Sequence, residues 1–225
     1  MTVSYEALRT AFAQIRRGMA ESRTDDWMGA AIVGANAEGP FINVSRKGAQ
    51  AGEHVRPGDA AFLKEYQDVI RVFTIAPEVE GNLDCIREMA RDTGMLISMG
   101  HTAANFDQAR AGIEAGVRHV THLFNAQTGL MHRDPGVVGA AFDSPQVRVE
   151  LICDGVHIHQ SVIRAVFKLF GPERVVLISD TMRAAGMPDG DYTLGGQAVK
   201  VEGKYATLAD GTLAGSVTDL MSCMR

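Results

Sequence analysis

The stretch Ser98–Asn125, SMGHTAANFDQARAGIEAGVRHVTHLFN, decides the fold that we expect for this chain. Two short apolar runs each lead to a histidine, His101 and His122, and a segment of helical character separates them. Successive strands of a parallel β-α-β unit lie side by side, so their carboxyl ends share one rim. The two histidines can therefore point into one site, which favours a metal-binding pair.

The rest of the chain repeats this alternation of short apolar runs and helical segments. We expect strands at 29–35, 69–75, 95–99, 117–123, 147–153 and 174–179. Such alternation indicates an α/β fold with a parallel sheet, either a barrel or an open doubly wound sheet. Residues capable of chemistry follow several of these strands, which favours the mouth of a barrel. The prediction is a partial (β/α)8 TIM-type barrel with about six of its eight strands.

The region after the sixth strand has a different pattern. Glycines punctuate short alternating runs between residues 191 and 211, which predicts a small β-hairpin insertion. A capping-box-like S-x-x-D then runs from Ser216 to Asp219, just before the chain ends at Arg225. We therefore expect residues 1–225 to form a single, incomplete barrel domain.

Composition excludes several classes of protein. The 225 residues are 46% hydrophobic and 22% charged, which suits one compact domain. A net charge of −5 offers no basic face, so nucleic acid is not an expected partner. No apolar run approaches the ~20 residues that cross a bilayer, so we expect no membrane association. The three widely spaced cysteines suit reduced thiols, and the expected location is cytoplasmic.

One carboxylate and two imidazoles form the candidate metal centre. Glu38, His101 and His122 suit a catalytic divalent ion that keeps one position open to water. Asp180 follows the apolar run VVLIS and is the best candidate for a general base. Strand-end residues of these types also occur for purely structural reasons, and that alternative stays open at this point. His119 should point to the face opposite His122, towards a helix or the surface.

Two further residues have competing interpretations. His157 and His159 form an H-x-H that could bind metal, but we favour His157 as a donor that polarises the substrate. Arg133, in MHRDPG, is either a solvated charge or a bidentate clamp for an anion.

An ordered set of short motifs identifies a family. AEGPFIN, KGAQ, TIAPE, SMGHT, THLFNA, RDPG, DGVHIH, LISDTM and GTLAGS occur in this order from residue 37 to residue 216. Together they closely resemble the N-acetylglucosamine-6-phosphate deacetylases of the amidohydrolase superfamily. The resemblance implies a metal-dependent hydrolase barrel that removes acetate from N-acetyl-D-glucosamine 6-phosphate, in amino-sugar catabolism and recycling. It also implies one or two divalent ions, zinc or iron, per subunit.

The resemblance assigns roles to individual residues. Glu38, His101 and His122 would be the metal ligands, and Asp180 the catalytic acid and base. Arg133 would reach the phosphate in a neighbouring subunit, which implies a homodimer. The implied substrate contacts are Ala49, Gln50, Asn125, Ala126, His157, Leu213, Ala214 and Gly215.

The sequence departs from the family pattern at three points. Asn36 stands where the family usually has a histidine two residues before the glutamate, and Gln50 stands where many members have histidine. An opening strand with H-x-H is not found. Two alternatives therefore stay open: another amidohydrolase acting on a cyclic amide or an unphosphorylated amino sugar, and a truncated, inactive remnant acting as a binding module.

Overall fold

A six-stranded parallel sheet forms the centre of the molecule in the computed structural model, which describes residues 2–224. Neighbouring strands follow chain order, and all five pairings are parallel. The sheet curls into a half-barrel, which confirms the expected fold class. Its strands are β1 (Ala35–Glu38), β2 (Ile70–Ile75), β3 (Leu96–Met99), β4 (His119–Val120), β5 (Arg148–Ile152) and β6 (Val175–Ile178).

Helices connect the strands, as a parallel sheet requires. Asn105 caps the helix Phe106–Ala115 with a reciprocal capping box, in which its side chain and that of Gln108 each accept a backbone N–H of the other residue. Across the described residues, every helix is too short or too polar to cross a lipid bilayer. The helices are α1 (Tyr5–Glu21), α2 (Ala60–Glu65), α3 (Asn82–Asp92), α4 (Phe106–Ala115), α5 (Gly136–Phe142), α6 (Gln160–Phe170) and α7 (Leu220–Cys223).

The main core lies between the inner strands and the helices. Phe73, Val120 and Leu151, from β2, β4 and β5, are fully buried. Strand β6 differs, because all four of its residues are only partly buried. The inner strands are therefore held on both sides, whereas β6 pairs with β5 alone among the described strands.

Two predicted strands have different bounds in the structure. The run at 29–35 is largely exposed, with Val33 70% accessible, and the first strand is instead Ala35–Glu38. This short apolar run has the pattern of a buried strand, but β1 consists of the four residues that pair with β2. Strand β4 stops at Val120, because the chain turns sharply with positive φ at His122 and Phe124.

The predicted hairpin near 191–211 is present and gains a third strand. Strands β7 (Gly190–Leu194), β8 (Gln197–Glu202) and β9 (Tyr205–Thr207) form an antiparallel sheet. Val199 and Val201 of this sheet share a small buried cluster with Met182, from the loop after β6, and with Ala49, from the loop after β1. The small sheet therefore packs against two loops at the carboxyl-end rim of the half-barrel.

Candidate active site

Glu38, His101 and His122 meet at the carboxyl-end rim of the half-barrel. The Nε2 atom of His101 lies 2.9 Å from Glu38 Oε1 and 3.0 Å from His122 Nε2. The Nε2 atom of His122 lies 3.6 Å from Glu38 Oε2. The ligand atoms of the three residues lie within 4.8 Å of one another, and no other such cluster is found in residues 2–224. The structure thus brings the three predicted ligands together.

The donor chemistry of this cluster fits a divalent cation. The Nδ1 atom of His101 lies 2.8 Å from the carbonyl oxygen of Arg46, which can only accept a hydrogen bond. The proton of neutral His101 is therefore on Nδ1, and the Nε2 lone pair faces Glu38 and His122. A carboxylate and imidazole nitrogens are ligands that zinc and iron accept.

The electrostatics of the cluster also favour a positive charge at this place. Burial raises the pKa of Glu38, but the neighbouring side chains of His101 and His122 outweigh it and hold this pKa well below the usual range. Burial lowers the pKa of His122, but Glu38 acts in the opposite direction and raises it to about 9. The carboxylate is therefore kept charged and stabilises a cation beside it.

Backbone strain is concentrated at the site. Five non-glycine residues among those described have positive φ, and four of them are predicted site residues: His101, His122, Ala126 and Asp180. Such conformations cost ~1–3 kcal/mol each and persist where the surroundings enforce them. The N–H of Asn43 donates to the carbonyl of His101 at 2.9 Å, and that of Asn125 donates to the carbonyl of His122 at 2.9 Å. These contacts hold both histidines in place.

Asp180 lines the same cavity as the cluster, and only Ser179 separates it from the end of β6. Its carbonyl accepts the N–H of Ser216 at 2.8 Å, and the Ser216 hydroxyl donates to the carbonyl of Ser179 at 2.5 Å. Burial of its carboxyl, followed by the charge of Glu38, raises its pKa to about 6. A carboxylate with a raised pKa is better matched to proton transfer near neutral pH.

A cavity of about 710 Å³ joins these groups. Ala214 is fully buried beside this cavity and donates its N–H to the carbonyl of Ala206 at 2.9 Å. Arg133 is exposed and is not part of the cavity wall. Of the predicted site residues, the structure places Glu38, Ala49, Gln50, His101, His122, Asn125, Ala126, His157, Asp180, Leu213 and Gly215 in that wall, together with Asn36.

Gln50 is hydrogen-bonded to the cluster of Glu38 and His101 itself. Its Nε2 donates to Glu38 Oε1 at 2.8 Å and lies 3.2 Å from His101 Nε2. Its Oε1 accepts the backbone N–H of Thr2 at 2.8 Å and also the Thr2 hydroxyl. The amide is therefore oriented from both ends and positions Glu38, a role that the sequence did not suggest.

His119 does not take the orientation expected from strand alternation. Its Nε2 lies 3.1 Å from Glu150 Oε1, and the other oxygen of Glu150 accepts the backbone N–H of His122 at 3.1 Å. Both side chains are buried beneath the site. Alternation fails because β4 ends at Val120, before His122. The signal for Glu150 was a charged residue inside the apolar run VRVELIC.

The strand ends of this half-barrel present a carboxylate, two imidazoles and a further aspartate around one cavity. This arrangement is typical of metal-dependent hydrolases of the TIM-barrel class.

The comparisons with known proteins identify the relatives within this class. No family model matches the chain. It is 41% identical over 194 residues to the N-acetylglucosamine-6-phosphate deacetylase of Bacillus subtilis, covering 84% of this chain and 49% of that protein. It is 39% identical over 201 residues to the N-acetylgalactosamine-6-phosphate deacetylase of Escherichia coli O157:H7, covering 88% and 53%.

Solved structures lead to the same family. The N-acetylglucosamine-6-phosphate deacetylase of Thermotoga maritima superposes with a TM-score of 0.90 at 33% identity, covering 99% of this chain and 60% of that one. The Mycobacterium smegmatis enzyme, in complex with N-acetyl-D-glucosamine 6-phosphate, gives a TM-score of 0.87 at 35% identity, covering 96% and 55%. The chain is a homologue of the N-acetylglucosamine-6-phosphate deacetylases, which confirms the resemblance. It spans about half the length of the curated relatives it matches.

Proposed function

We propose that this chain carries the catalytic site for hydrolysis of the acetamide of N-acetyl-D-glucosamine 6-phosphate to glucosamine 6-phosphate and acetate. The observation that carries the proposal is the convergence of Glu38, His101 and His122 in one cavity that Asp180 also lines. Homology to deacetylases of this substrate supports the choice of reaction. The cavity volume lies within the range usual for sites of small molecules.

Glu38, His101 and His122 are proposed to hold one divalent ion, zinc or iron. When bound, such an ion polarises a carbonyl oxygen and lowers the pKa of water. Gln50 holds Glu38 through its amide N–H, and Arg46 fixes the ring of His101 through its carbonyl oxygen. The chain's own bonds therefore orient two of the three ligands.

Asp180 is proposed to move the proton. Its carboxylate takes a proton from the attacking water and then delivers it to the nitrogen of the leaving amine. This assignment agrees with its place in the same cavity as the proposed ligands and with its raised pKa. The ring of His157 also lines the cavity and would engage the acetamido group.

The remaining wall is proposed to bind the sugar phosphate. Asn125 would contact it through its side chain and Ala126 through its backbone, and both residues line the cavity. Ala49, Gln50 and the segment Leu213–Gly215 would form part of the sugar pocket.

Asp180→Asn tests the proposed reaction. The amide cannot accept the proton, so acetate release should fall by about 10²- to 10⁴-fold, while the bound metal stays the same. Asp191→Asn, at an exposed position of β7, is the matched control and should retain full activity. Undiminished turnover in Asp180→Asn would refute the assignment.

A second sugar is favoured by one observation. The relative named for N-acetylgalactosamine 6-phosphate is nearly as similar to this chain as the one named for the glucosamine sugar. Comparing kcat/KM for both 6-phosphates identifies the preferred epimer. Including unphosphorylated N-acetylglucosamine measures the contribution of the phosphate.

Arg133 is proposed to reach the phosphate bound in a neighbouring subunit of a homodimer. Its exposure, and its position outside the cavity of its own chain, support this role. Arg133→Ala should raise KM for the phosphorylated substrate by about 10-fold or more, because a charged hydrogen bond is lost. Arg23→Ala, at another exposed position, is the control. An unchanged KM, or a monomeric active protein, would exclude the role.

A further inference from the structure

The buried carboxylate of Asp154 contacts Nδ1 of the His157 ring. Asp154 follows β5 closely, and its Oδ1 accepts the backbone N–H groups of Val156 and His157, both at 2.8 Å. Its Oδ2 lies 2.7 Å from Nδ1 of His157. The two side chains are 5% and 6% exposed. Gly155, with φ of 71°, provides the left-handed turn in this loop.

This geometry determines which ring nitrogen carries a proton. A carboxylate only accepts hydrogen bonds, so the hydrogen between Asp154 and His157 belongs to Nδ1. Burial raises the pKa of Asp154, but hydrogen bonds from His157 and from the backbone outweigh it and bring this pKa below the ordinary value. Asp154 therefore stays charged and keeps accepting. Nε2 is the nitrogen left for the cavity that His157 lines.

We propose that Asp154 is a positioning residue, whose carboxylate keeps a proton on Nδ1 of His157 and thereby fixes the ring with Nε2 turned towards the cavity. Holding the ring in this orientation keeps Nε2 in place to contact the acetamido group of the substrate. This catalytic consequence rests on the proposed deacetylation, whereas the state of the ring does not.

Long-range ¹H–¹⁵N correlation spectra of ¹⁵N-histidine-labelled protein, freed of paramagnetic ions, report the proton directly. In the wild-type protein Nδ1 of His157 should be protonated. In Asp154→Asn the amide oxygen still accepts the two backbone N–H groups, but the amide NH₂ now faces Nδ1. The ring must then accept at Nδ1 and carry its proton on Nε2. His157→Gln assigns the signals by deleting them.

His159 provides a reference for the opposite state in the same spectra. Its Nδ1 accepts the backbone N–H of Ser161 at 3.2 Å, so its neutral ring carries the proton on Nε2. This signal should be the same in wild type and Asp154→Asn. A thermal unfolding curve of each protein establishes that the variant is folded.

Either of two spectral results would overturn the proposal: an unprotonated Nδ1 of His157 in the wild type, or an unchanged proton position in folded Asp154→Asn. If the variant does not fold, the wild-type spectrum alone tests the proposal.

In acetate-release assays Asp154→Asn should lose about 10²-fold in kcat with KM nearly unchanged, and an unchanged kcat would refute the catalytic consequence. A wild-type protein that releases no acetate would refute the proposed function, while the spectra would still test Asp154.

Discussion

The two walls of the cavity are held in place by different parts of the molecule. His101 and His122 follow the inner strands β3 and β4 and are themselves buried. Asp180 follows β6, whose residues are only partly buried, and its backbone is held by Ser216 from the segment after β9. The histidine wall therefore depends on the main core, and the Asp180 wall depends on a later loop.

This difference shows how one site can separate two tasks. Ligand atoms must converge within a few tenths of an ångström, which a close-packed core can enforce. Proton transfer needs a carboxylate that is open to the cavity, which a partly buried strand end supplies. Substitutions on the two walls should therefore have separable effects on metal binding and on turnover.

The largest effect is expected when a ligand on the histidine wall is removed. His122→Ala should weaken Zn²⁺ binding by more than about 100-fold, because even residues that only support a ligand contribute about 10- to 100-fold. Calorimetric titration of the metal-free protein with Zn²⁺ measures this change. His132→Ala, at an exposed position, is the control and should bind as the wild type does. Equal affinities of the two variants would contradict the ligand assignment.

A matched pair of leucines compares the inner strand with the edge strand. Leu151 of β5 and Leu177 of β6 are partners in the same parallel pairing, but Leu151 is fully buried and Leu177 only partly. Leu151→Ala should lower the free energy of unfolding by about 3 kcal/mol, and Leu177→Ala by about 1 kcal/mol. Urea denaturation measures both values. Similar losses would mean that the two walls have equally firm supports.

Glu150→Ala tests the support beneath His122. The substitution removes the acceptor for the His122 N–H and for the ring of His119, so the free energy of unfolding should fall by about 2 kcal/mol. Zn²⁺ affinity should also fall, by about 10-fold. Glu80→Ala, at an exposed turn, is the control for both measurements. A loss of stability with unchanged Zn²⁺ affinity would show that Glu150 supports the core and not the ligand.

The smallest effect is expected on the Asp180 wall. Ser216→Ala removes one hydroxyl hydrogen bond to Ser179 and should cost about 1 kcal/mol of stability. The backbone N–H of Ser216 still donates to the carbonyl of Asp180 in this variant, so kcat should fall only slightly while Zn²⁺ affinity stays constant. Ser161→Ala, on the exposed face of α6, serves for comparison. A parallel loss of Zn²⁺ affinity would mean that the walls are not independent.

The sequence predicted those features that follow from periodicity and residue type. Six strands alternating with helices were visible as apolar runs, and Glu38, His101 and His122 were visible because they follow such runs. The position of β1 was not predicted, because the apolar run at 29–34 gives the same sequence pattern whether it is buried or exposed. The roles of Gln50 and Glu150 were also missed. Their bonds join residues distant in sequence, and no local pattern encodes such contacts.

Glu38, His101 and His122 are proposed to bind one divalent ion beside a proton-transferring Asp180. Metal content of the purified, folded protein, measured together with acetate release from N-acetylglucosamine 6-phosphate, tests this claim most directly. We predict about one zinc or iron ion per chain and release of acetate that stops when the ion is removed by a chelator. A folded, soluble protein that binds no stoichiometric metal and releases no acetate would contradict the claim.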